Sequence, residues 1–153
     1  MINLQIDSPF EQQLNPAILE TTAQAAIQHQ QANPQSELTI VITGDEQIQE
    51  LNAQYLGVDT PTDVLSFPSA DEIDPETGNP YLGDILISLP RAAAQAAEFH
   101  TTLENELRLL VVHGVLHLLG HDHANADEKE IMWAAQTEIL ISLGCQIRPL
   151  SES

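Results

Sequence analysis

LRLLVVHGVLHLLGHDH, residues 107–123, decides how the rest of the chain is read. It begins as an apolar run interrupted by His113 and His117, four residues apart. On a helix of 3.6 residues per turn such a pair lies on one face, one turn apart. A tetrahedral metal ion can then take one imidazole from each turn. The helix must stop before a third ligand can fold back, and Gly120 is a residue able to adopt positive φ. His123 follows three residues later.

The number of ligands matters as much as their type. A structural zinc site is normally closed by four protein ligands, whereas a catalytic one keeps a position open for water. The one cysteine, Cys145, stands far along the chain. The motif therefore proposes a single zinc ion on His113, His117 and His123, with water as the fourth ligand. His121 and Asp122 are neighbouring candidates for a fourth protein ligand. The spacing H-x-x-x-H-x-x-G-x-x-H is also that of the metzincin peptidases, with Gly114 where those enzymes carry their catalytic glutamate. That loss harms an amidase more than a phosphodiesterase. Zinc lowers the pKa of its water to about 7 without a carboxylate, but an amide nitrogen also needs a proton delivered as it leaves. Glu106 shares the helix face of His113 two turns away, on the order of 10 Å, as a supporting or surface residue.

Composition narrows the classes. Length (153 residues) and 42% hydrophobic content suit one domain over 1–153 with a single core. No apolar run is long enough to span a membrane. The start, MINLQIDSPF, lacks the basic and apolar regions of a secretory signal. One cysteine excludes an internal disulfide and fits a reducing, cytoplasmic compartment. Asp and Glu number 23 against four Lys and Arg (Arg91, Arg108, Lys129, Arg148), a net of -19. Four cations cannot form the basic stripe of an autonomous DNA or RNA binder. A contact focused on a metal, or a basic protein partner, is compatible with this charge.

The pattern predicts four strands, at 3–7, 37–44, 62–67 and 82–88, and helices over 16–30, 45–57, 90–100, 101–119 and 125–143. Ile48, Leu51 and Tyr55 are the apolar positions of the second helix. Thr101 with Glu104, and Asn125 with Glu128, are the expected helix starts. Residues 69–80, SADEIDPETGNP, read as an acidic loop. His29 and His100 are expected on exposed helical positions, and Met132, Trp133, Ile139, Leu140 and Leu143 in the core. Interleaved strands and helices followed by a helix-rich half read as a small α/β or α+β sandwich.

HGVLHLLGHDH resembles the signature of the YbeY family, the bacterial rRNA maturation factors. PTDVLSFP at 61–68, LGDILIS at 82–88 and EKEIMWAAQTEILISLG at 128–144 resemble that family's other blocks, in the same order. The resemblance implies an α+β fold, a small mixed sheet packed with helices and the two-histidine helix at its centre in a zincin-like layout, and a cytoplasmic, metal-dependent endoribonuclease with zinc on His113, His117 and His123. It also implies roles in 16S rRNA 3′-end maturation and ribosome quality control, with the small ribosomal subunit as partner. Asp84, in LGDILIS, is then a candidate to face substrate or brace a ligand histidine, or else a strand residue. Family members commonly carry Tyr-Arg-Gly-Lys-Asp where this chain has YLGVD, so Leu56 and Val58 replace two cations; Arg91 is a candidate substitute. Two other functions compete: a metal-stabilised ribosome-assembly factor that docks on basic ribosomal proteins, and a metallopeptidase.

Overall fold

A computed structural model of the chain describes residues 1–122 and 124–145. Along it run β1 (Ile2–Ile6), α1 (Pro16–His29), β2 (Glu37–Thr43), α2 (Asp45–Leu56), β3 (Val64–Ile73), β4 (Pro80–Ser88), α3 (Leu89–Glu98), α4 (Leu103–Leu118) and α5 (Ala126–Ser142). Among the described residues the four strands form one mixed sheet in the order β1-β2-β4-β3. β1 runs parallel to β2 and β2 to β4, while β3 is antiparallel to β4. The two central strands are the β-branched ones, with Ile40 opposite Ile85 and Ile42 opposite Ile87.

Alternation sends the strands' side chains to two different layers. Leu38, Ile40, Ile42, Ile85 and Ile87 join the main core with α1, α3, α4 and α5. Leu65 and Leu86 face the other way, onto Ile48 of α2. α4 is apolar on nearly every side because it is buried on nearly every side, between the sheet and the surrounding helices. At Gly114 it meets β4 so closely that a Cβ would lie 2.8 Å from Ile85 Cγ2. Only glycine lets the helix sit at this depth.

Local signals placed the ends well, with informative differences. Asn125 caps α5 by accepting from the Glu128 amide, as expected. α4 starts one residue later than expected: Thr102, not Thr101, accepts from the Asn105 amide at 3.1 Å. Residues 69–73 are strand rather than loop. β3 continues past Pro68 along the sheet's edge, where a missing N–H is tolerated. The turn is confined to 74–79, where backbone amides of the turn, led by that of Glu76, hold the Asp74 carboxyl below its usual range. Trp133 is a correction: it is 38% exposed, while Met132, Ile139 and Leu140 are buried. Glu106 is fully buried rather than on the surface. No described helix is long and apolar enough to cross a membrane.

Candidate metal centre

His113 and His117 project from successive turns of α4 toward each other. Their Nε2 atoms are 3.1 Å apart and their rings lie edge to face, with centroids at 4.6 Å. Two imidazole nitrogens on one tetrahedral zinc, each about 2.0–2.1 Å from it, lie roughly 3.3 Å apart. The pair therefore already has the spacing of two ligands of one ion. His113 is buried, and its other nitrogen is not idle. Nδ1 lies 3.2 Å from Oε1 of Gln136 on α5, a side chain only 4% exposed. An amide oxygen accepts, so this bond puts the proton on Nδ1 and leaves Nε2 with its lone pair for the metal. Gln136 was not found from sequence. Within AAQTEIL it reads as an ordinary helix residue, and only the packing of α5 on α4 brings it to the ring.

After α4 the chain turns at Gly120, whose φ of +100° is closed to most L side chains. The third expected ligand, His123, lies outside the described residues. Among the described residues no cluster of three or more His, Cys, Asp or Glu is placed to hold a metal. His121 is turned to α1: its Nε2 lies 2.6 Å from Gln30 Oε1. Burial, and then the nearby His29, hold its pKa below the ordinary histidine value. His29 itself pairs with Glu138 at 3.0 Å. His100 has left the helix and sits in the left-handed region, with φ of +57°.

Asp84 does not brace either ligand histidine. It alternates with Ile85 and so shares the sheet face of Leu86, opposite the face that α4 covers. There it accepts a hydrogen bond from the Tyr81 hydroxyl, which is also 2.7 Å from Thr39 Oγ1. Burial, reinforced by Asp84, pushes the Tyr81 phenol up to about 12. Arg91 does not replace the missing cations: its Nε lies 3.6 Å from Asp45, and it is not among the cleft's lining residues.

His113 and His117 open onto a cleft of about 640 Å³. Gly120, His121 and Asp122 line its near side, and Asn52 with the segment from Leu56 to Pro68 supplies the rest. None of the described lining residues is Lys or Arg.

The family model described as Endoribonuclease YbeY matches residues 2–144. The chain belongs to the YbeY family. A YbeY relative from Roseiflexus sp. is 44% identical over 149 residues, covering 94% of this chain and 92% of that one. Another, from Shouchella clausii, is 48% identical over 127 residues, covering 78% of this chain and 79% of its own. A solution structure of a Thermotoga maritima protein superposes with a TM-score of 0.59 at 25% identity, covering 94% of this chain and 92% of that one. Membership joins the three blocks flanking the histidine motif into one fold. β3 carries the first, β4 the second and α5 the third. The packing at position 114 speaks against the metallopeptidase alternative. Position 114, where a peptidase keeps its glutamate, faces Ile85 in the sheet, with no room even for a methyl group.

Proposed function

We propose that this chain is a metal-dependent endoribonuclease of rRNA maturation, acting on single-stranded RNA near the 16S 3′ end and in ribosome quality control. In this reading the chain, 1–153, works as one cytoplasmic domain, holding one zinc ion on His113, His117 and His123. Such an ion supplies Lewis acidity toward a phosphoryl oxygen and lowers the pKa of water. The protein's part is to fix the donors. Burial on α4 holds His113 still, Gln136 sets its tautomer, and His117 reaches the cleft where RNA enters. Gly114 contributes no general base and serves packing instead. The observation that carries the reading is the 3.1 Å convergence of the two Nε2 atoms at the floor of an open cleft. Membership of a family described as an endoribonuclease supports RNA as the substrate.

The test compares cleavage of a single-stranded RNA bearing the 16S 3′ end by metal-loaded protein and by His117→Ala. Cleavage should vanish together with metal binding. A metal-free variant that still cuts would refute the assignment.

A second reading is favoured by the net charge of -19 and by a cleft whose described lining has no cation. The protein would then be a metal-stabilised assembly factor that docks on basic ribosomal proteins, with little cleavage of its own. Full metal occupancy and co-sedimentation with small ribosomal subunits, without cleavage of free RNA, would favour it.

A further inference from the structure

An RNA strand offers a binding site two handles, the charge of its phosphates and the faces of its unpaired bases. Gripping phosphates along the strand takes Lys and Arg. The described lining of this cleft has none, and Asp122 adds a carboxylate. The chain has four cations in all. Arg91 lies beside Asp45 and Arg108 donates to Asn105 at 3.0 Å, neither on the cleft wall. Among the described residues the cleft therefore has little to hold a row of phosphates.

What it offers instead is apolar. Leu56 and Val58, on either side of the residue that ends α2, both line the cleft and remain 57% and 47% exposed. Pro61, Val64 and Pro68 continue the same lining. Exposed large aliphatic side chains scattered singly are ordinary, but here they gather in the cavity that also holds the ligand histidines. A cavity of this size is within the range that takes small ligands. We infer that the Leu56–Val58 rim binds the face of an unpaired nucleobase of the RNA strand whose phosphate lies at the histidine pair. Affinity then comes from burying a base, and single-strand preference follows, because the faces of paired bases are stacked inside a duplex.

This inference rests on the ribonuclease reading, and the experiment separates the two. Metal-loaded protein is titrated with a fluorescent single-stranded RNA hexamer and with the same hexamer carrying abasic positions. Salt runs from roughly 50 to 200 mM, and cleavage is followed in parallel. Wild type is compared with the double variant Leu56→Ser/Val58→Ser, both exposed positions that the fold does not depend on. Abasic substitution and the double variant are each expected to weaken binding about fivefold, the low end of the effects of stacking a base on an aromatic side chain. Combined, they should weaken it no further, and the salt slope should correspond to about one phosphate. Equal binding of abasic and parent RNA, or a slope of three or more phosphates, with cleavage intact, overturns the rim inference alone. A hexamer neither bound nor cut, with a basic ribosomal protein bound in a way the double variant abolishes, overturns both.

Discussion

The cleft joins two regions built on different physical terms. The α4 region is core: Leu110, Val112 and Leu116 are fully buried around the histidines, and Gly114 is pressed onto Ile85. The 56–68 region brings exposed aliphatic side chains and prolines to the same cavity. A metal centre needs ligands held to a fraction of an ångström, and a close-packed helix provides that. A recognition surface needs only contact, so its residues are free to change without cost to the fold. The chain's YLGVD segment belongs to that side: Leu56 and Val58 line the cleft at 57% and 47% exposure, and α2 forms and ends at Gly57.

Substitutions can break or sharpen this contrast. The largest effect is expected at Gln136→Leu, which removes the acceptor on His113 Nδ1. Zinc affinity, measured by competition with a chelator, should fall about 10- to 100-fold. Gln136→Glu, which keeps an acceptor, should retain it. Unchanged affinity in Gln136→Leu would mean that the ring is held by packing alone. Gly114→Ala comes next. Better helix propensity favours alanine by about 1 kcal/mol, but forcing a methyl against Ile85 costs about 1–3 kcal/mol. A net destabilisation of up to about 2 kcal/mol is expected in urea unfolding. A more stable variant would show that α4 has room to move off the sheet. On the other side of the cleft, Leu56→Ala should change stability by no more than about 0.5 kcal/mol, and a larger loss would make the rim part of the core.

The smallest effect concerns the sheet face away from the metal. Tyr81 has its pKa raised from 10.0 to about 12, so the folded state favours the protonated phenol. Its contribution to stability is complete below pH 10, and is lost as the pH rises from 10 toward 12. Tyr81→Phe should remove that loss. An ultraviolet titration in which Tyr81 ionises near pH 10 would contradict the burial of this hydroxyl.

Much of this was legible in the sequence where a local rule applies. The four-residue spacing of His113 and His117 needs only a helix, and Asn125 marks a helix start by its own side chain. Alternation in LGDILIS gave the strand, but not which face meets α4. Alternation alone therefore allows Asp84 to face substrate, to brace a histidine or to be a strand residue, and it is Ile85 that takes the α4 face. Size and hydrophobicity suggest burial for Trp133, but the face of α5 that packs on the core carries Met132, Ala135, Ile139 and Leu140 instead. Gln136 was invisible for a deeper reason. Its partner is 23 residues away on another helix, and no periodicity marks a contact made by tertiary packing.

The most direct test of the metal centre is the X-ray absorption spectrum at the zinc edge of the loaded protein. Three imidazole nitrogens and one oxygen at about 2.0–2.1 Å are expected, with one imidazole lost in His117→Ala. A sulfur neighbour, or a zinc shell unchanged in His117→Ala, would contradict a site built on the α4 pair.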